Sequence, residues 1–156
     1  MNVQTPAAQR TMRIERVIDA PVDRIWAAWT NADSLPQWWG PDGFSCRTDR
    51  IDLREGGEWV FDMIGPDGTV YPNWHLYTRM TPNERIEYTL HWGKDGPKHA
   101  DSVVTFEDQG GRTHVLMEMT FVTQEEHDNA KGFGAVELGL QTLGKLARAV
   151  GADRAA

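Results

Sequence analysis

The sequence holds a single cysteine, Cys46. One cysteine excludes an internal disulfide and any cysteine-built metal site, and it accords with a reducing compartment, where a packed thiol is the expected state. Positive charge is also scarce: 16 Lys and Arg stand against 23 Asp and Glu, for a net charge of -7. No run of basic residues offsets that balance locally, so a phosphate backbone is repelled and nucleic acid is not expected as a partner. Long apolar runs are missing. Nothing approaches the roughly 18 consecutive residues that a membrane span requires, and Met1 to Arg10 contains no apolar core of a signal peptide. Membrane insertion is therefore not expected, and the cytoplasm is the expected location.

Chemical motifs are equally sparse. His75, His91, His99, His114 and His127 never fall at i, i+2 on a strand or i, i+4 on a helix, so no metal site is expected. Gly132-Phe133-Gly134 lacks the preceding strand and the Lys-Ser/Thr pair of a phosphate loop. No nucleophile stands beside a base, no catalytic residue can be assigned, and no cofactor is expected.

What the chain does have is tryptophan, seven in 156 residues. Trp is large, apolar and seldom placed on a surface, so the fold needs wide aromatic walls. The length suits one domain, read here as residues 11–150, between a flexible tail at 1–10 and another at 151–156.

Thr11 to Asp19 puts Met12, Ile14 and Ile18 on one face of a strand, with Arg16 sharing their parity. Asp19-Ala20-Pro21 then supplies a capping residue and a first-turn proline for a helix bearing Val22, Ile25, Trp26 and Trp29 at helical spacing. A second helical piece, Asp33 to Trp39, stops at Gly40-Pro41. From Phe44 to Val122 the period becomes two, and turn residues divide this stretch into six strands, antiparallel wherever the connection is short, the loop around Tyr71 being the longer one. Trp59, Phe61 and Met63, then Ile86, Tyr88, Leu90 and Trp92, then Val115, Met117, Met119 and Phe121 mark the apolar face. From Thr123 to Val150 helical spacing returns, with Phe133, Val136, Leu140, Leu143, Ala147 and Val150 on one stripe suited to lie across that face. Four glycines, 132, 134, 139 and 144, fall inside this helix, which asks for close packing or a deliberate gap.

This order of elements, with DAPVDRIWAAWTNADSLPQWWGPDGF, GGEWVFDM, MTPNERIEYTL, TFEDQGGRTHVLMEMTF and GFGAVELGLQTLGKLA, resembles the START-like or SRPBCC helix-grip superfamily. Within it, the chain is most similar to bacterial homologues of the C-terminal domain of the activator of the heat-shock-protein-90 ATPase. The resemblance implies an α+β fold in which a curved antiparallel sheet of about seven strands, in the order β-α-α-β6-α, wraps around a long C-terminal helix. It also implies a pocket between sheet and helix for an apolar small molecule.

On that resemblance, Trp39, Phe44, Trp59, Phe61, Trp74, Tyr88 and Trp92 become pocket walls, although periodicity alone makes them core. Phe133, Val136 and Leu140 face them from the helix. Arg16 is a candidate for a ligand carboxylate or enolate, or else pairs within the protein, and Tyr77 and Tyr88 are candidates to orient a ligand through their hydroxyls. Three functions follow: binding an apolar or amphipathic molecule as carrier, sensor or sequestering protein; an enzyme resembling the superfamily's polyketide cyclases and hydrolases; or a protein-interaction module that stimulates a chaperone ATPase. The eukaryotic activator has a further N-terminal domain that grips its chaperone, and this sequence has none, which counts against a chaperone partner. A homodimer is compatible with such domains, but no residue demands one.

Overall fold

The structure, a computed structural model, describes residues 7–151; of the tails expected at 1–10 and 151–156, residues 1–6 and 152–156 lie outside the described residues. Seven strands form one antiparallel sheet: β1 (Thr11–Ile18), β2 (Ser45–Ile51), β3 (Glu58–Ile64), β4 (Val70–Thr81), β5 (Arg85–His91), β6 (Lys98–Asp108) and β7 (Thr113–Phe121). Their order across the sheet is β1-β7-β6-β5-β4-β3-β2. Five strand pairs are sequential neighbours, which the short turns enforce; the sixth joins β1 to β7, with Ile14 opposite Met117. The first two strands thus form opposite edges of the sheet. Between them run α1 (Val22–Thr30) and α2 (Leu35–Trp38), the connected V expected from the sequence, with α2 shorter than the Asp33–Trp39 span.

Local chemistry sets the turns. At Gly65-Pro66-Asp67-Gly68 the Gly68 amide donates to the Gly65 carbonyl at 2.9 Å, closing the turn with proline second, and Asp67 Oδ1 accepts from the Thr69 amide at 2.9 Å. The turn is short enough that Tyr71 already lies in β4, opposite Met63, so the longer loop expected around it is part of a strand.

Two further expectations change at helix ends. Pro21 occupies the N-cap position of α1 rather than its first turn, and its carbonyl accepts from Arg24 and Ile25. Asp19 does not cap that helix; it faces Arg112 at 3.7 Å. At the other end, the single helix expected over Thr123–Val150 is two, α3 (Gln124–Gly132) and α4 (Ala135–Ala149). Gly134 has φ +87° and breaks the hydrogen-bond ladder between them, a left-handed conformation that favours glycine. Thr123 caps α3, its Oγ1 accepting from the Glu126 amide at 3.1 Å, and Glu125 and Glu126 occupy the positive first turn. Ala7–Arg10, expected as tail, form a 3-10 turn fixed to β7: Arg10 donates to the Phe121 carbonyl, and Thr11 Oγ1 donates to the Ala7 carbonyl at 2.7 Å.

The alternation read from the sequence decides the core. Met12, Ile14 and Ile18 of β1, Ile86, Tyr88 and Leu90 of β5, and Val115, Met117 and Phe121 of β7 are buried on one face, against Leu143, Leu146 and Ala147 of α4. α4 lies along β1 through its glycines. A Cβ on Gly139 would stand 2.2 Å from Ile14 Cδ1, and one on Gly144 would stand 3.2 Å from Arg16 Nη1. Close packing therefore accounts for these two glycines, whereas a Cβ on Gly132 or Gly134 would meet nothing within 4 Å, and these two belong to the helix break.

Candidate functional site

An aromatic network runs from the helical V into the sheet. Trp29 meets Trp38 and Trp39 edge to face at 4.9 and 5.5 Å between ring centres, and Trp39 continues to Trp59 at 6.0 Å and His75 at 5.5 Å. Trp59 stacks on Phe61 at 3.6 Å, and its Nε1 donates to Thr48 Oγ1 at 3.1 Å. Edge-to-face and stacked contacts of this kind add to the stabilisation that burial alone gives.

His75 stands at the centre. It projects from β4 on the inner face, edge-on to Trp39, Trp59 and Phe61, and stacks on Tyr88 of β5 at 4.6 Å. Only 2% of its surface is exposed, and its Nε2 has no hydrogen-bond partner. Burial, with smaller contributions from His99 and His91, drives its pKa down to about 3, so the ring is neutral. The next two strands continue the pattern. Tyr88, 3% exposed, lies opposite Ser102 of β6, 1% exposed, and neither hydroxyl makes a hydrogen bond of normal geometry. Burial raises the Tyr88 phenol well above its ordinary range, and neighbouring Ser102 offsets part of that rise. Tyr77 is raised by burial as well, then by Tyr88.

A second group lies where the β5–β6 turn meets α3. Trp92 stacks on His99 at 4.0 Å, and His99 is 3.9 Å from Glu126. Neither buried ring nitrogen of His99 makes a hydrogen bond, and burial, then His91, lowers its pKa to about 4. Among the described residues, no three His, Cys, Asp or Glu side chains gather as a metal site requires.

The expected site residues separate into groups. Trp39, Trp59, Phe61, Tyr77 and Tyr88 come together on the inner face around His75. Arg16 is also inward, on β1, against Gly144 of α4. Phe44 packs instead on Tyr71 at 5.9 Å. Trp74 lies on the opposite face from His75: it donates to Glu58 at 2.9 Å, contacts His91 at 4.6 Å and has Lys94 over its ring. Adjacent strand positions point to opposite faces, so Trp74 and His75 share no site. Trp92 is 53% exposed, and Phe133, Val136 and Leu140 are 65%, 41% and 38% exposed. The helical stripe that carries the last three is buried only from Leu143 onward.

His75 and Ser102 were missed by reading the sequence. His75 shares the parity of Tyr77, one of the residues expected to face inward, and that was the available signal; a serine on an apolar face carries none. Away from the interior, a solvent-facing groove of about 480 Å³ lies between α2 and the end of α4, lined by Gln37, Asp42, Lys145 and Arg148 among others. Lys145 donates to the Pro41 and Phe44 carbonyls, each at 3.3 Å, and Arg148 meets Asp42 at 3.3 Å. Cys46 Sγ donates to the Trp39 carbonyl at 3.5 Å, and burial, opposed by Lys145, pushes its thiol up to about 12.

Residues 19–151 match the family model described as Activator of Hsp90 ATPase homolog 1-like protein. No curated protein sequence matches the chain. Many solved structures share its fold. The solution structure of a protein from Arthrobacter aurescens is 22% identical with a TM-score of 0.84, over 96% of this chain and 91% of that one. A crystal structure from Mycobacterium smegmatis is 23% identical, covers 99% of both chains and has a TM-score of 0.82. One from Nitrosomonas europaea is 22% identical, with 92% and 96% covered and a TM-score of 0.80.

Proposed function

The chain belongs to the family of Activator of Hsp90 ATPase homolog 1-like proteins, and on that premise we propose that it binds an apolar or amphipathic small molecule between the inner face of the sheet and α4. One observation carries this reading: His75 Nε2, on a ring held among five aromatic side chains, is buried without a hydrogen-bond partner. A buried polar atom left unsatisfied costs about 1–3 kcal/mol, so a fold that retains one gains where something else completes it. Wide apolar walls with a few convergent polar groups are the usual makeup of a small-molecule site. No helix among the described residues is long and apolar enough to cross a membrane. A single half-buried thiol held protonated fits a reducing compartment, the cytoplasm.

Native mass spectrometry of protein purified without denaturation tests the reading. A retained small molecule, released on unfolding, supports it. Turnover of that molecule on incubation would assign catalysis instead. Bare protein, together with no saturable uptake of any apolar probe, would overturn it.

A further inference from the structure

We infer that the break between α3 and α4, together with the first turns of α4, is a docking surface for a basic amphipathic helix of another protein. The inference does not depend on a ligand in the interior. Phe133, Val136 and Leu140 are exposed, whereas Leu143 and Ala147, farther along the same stripe, are buried. The apolar stripe therefore runs past the part of the helix that the protein itself covers. A Cβ on Gly132 or Gly134 would meet nothing within 4 Å, so the chain on either side of Phe133 is open as well. Single exposed apolar residues are ordinary, but three large ones at i, i+3 and i+7 form a surface that gains by being covered.

Charge identifies the occupant. Residues 124–141 carry Glu125, Glu126, Asp128 and Glu137 against a single cation, Lys131. Glu125, Asp128 and Glu137 are exposed. Glu137 follows Val136 directly and stands three residues before Leu140, so its carboxylate borders the apolar stripe. The basic residues of α4, Lys145 and Arg148, are at its other end, beside α2. An apolar strip edged by carboxylates is complementary to a helix that presents leucine-like side chains at i, i+3 or i+4, and i+7 with Lys or Arg beside them. A second copy of this chain would bring the same carboxylates together, and an anionic bilayer would be repelled by them.

Three labelled peptides test this against the full chain by fluorescence anisotropy: a leucine–lysine amphipathic helix of about two heptads, its leucine–glutamate counterpart, and a scramble of the first with the same composition. The expected result is the leucine–lysine helix bound about tenfold or more tightly than either of the others, with an affinity that falls as salt is added. Phe133→Ser with Val136→Ser should lower that affinity about tenfold. Glu137→Lys should lower it several-fold without depending on the apolar variant, whereas Glu107→Lys, an equal change of charge at an exposed position of the β6–β7 turn, should leave it within about twofold. Equal binding of the scramble, or equal losses from Glu137→Lys and Glu107→Lys, would mean that only the overall negative charge attracts the peptide, and would overturn the surface. So would a dimer, seen in sedimentation, that Phe133→Ser dissolves, or adsorption to phosphatidylserine vesicles that the same change abolishes. None of these outcomes bears on the interior, which the search for a retained small molecule tests separately.

Discussion

Gly139 of α4 rests against Ile14 of β1 so closely that a Cβ would stand 2.2 Å from Ile14 Cδ1 and 3.2 Å from its Cγ1. Alanine favours a helix over glycine by about 1 kcal/mol, but here the added methyl must displace a buried, β-branched side chain. Gly139→Ala should destabilise the protein by about 1–3 kcal/mol in denaturant unfolding. Adding Ile14→Val, which removes the opposing methyl, should restore part of the loss. Equal costs with and without the second change would place the strain elsewhere.

The glycines flanking Phe133 should behave oppositely to one another. Gly134 has φ +87°, so Gly134→Ala should cost about 1 kcal/mol although its surroundings are open. Gly132, the last residue of α3, is not left-handed and touches nothing, so Gly132→Ala should be neutral or slightly stabilising. Thermal unfolding of the two variants side by side distinguishes them; the same shift in both would mean that the break is not held by backbone conformation.

Along α4 one stripe changes from exposed to buried. Leu143→Ala, at a fully buried position, should cost about 2–5 kcal/mol, whereas Phe133→Ser and Val136→Ser should stay within about 0.5 kcal/mol. A large loss at Phe133 in urea unfolding would show that the segment packs down in solution.

Acid should weaken the fold before most carboxylates titrate. His75 and His99 have folded-state pKa values of about 3 and about 4, below the ordinary 6.5, so the unfolded chain takes up these protons first. Their contribution is complete above the unfolded value and is lost progressively as pH falls toward the folded values. Between pH 7 and pH 5 the two together should remove about 2–4 kcal/mol of stability. Urea midpoints measured across that interval check this, and replacing both residues with glutamine should flatten the profile. A wild-type profile already flat would mean that the two rings are hydrated.

Much of the architecture is legible in the one-dimensional pattern. Alternation in Ile86, Tyr88 and Leu90 marks a buried face because side chains on a strand repeat every two residues. The turn at Gly65–Gly68 follows from residues whose own backbones prefer it. Thr123 and the acids behind it announce the start of α3. These are short-range effects, decided within a few residues.

Other features depended on what the folded chain brought together. The same helical spacing runs through Phe133, Val136, Leu140 and Leu143, yet only Leu143 is buried: Phe133 lies in the break before α4 and Val136 in its first turn, ahead of the contact that α4 makes with β1 at Gly139 and Gly144, and Leu140 stays 38% exposed beside that contact. The sequence by itself determined which face of each strand is apolar and where the chain turns, since both are properties of neighbouring residues. Tertiary structure alone decided that His75, Tyr88 and Ser102, from strands paired only after folding, lie buried together with polar atoms unpartnered, because hydrogen-bond satisfaction depends on distances no local pattern encodes.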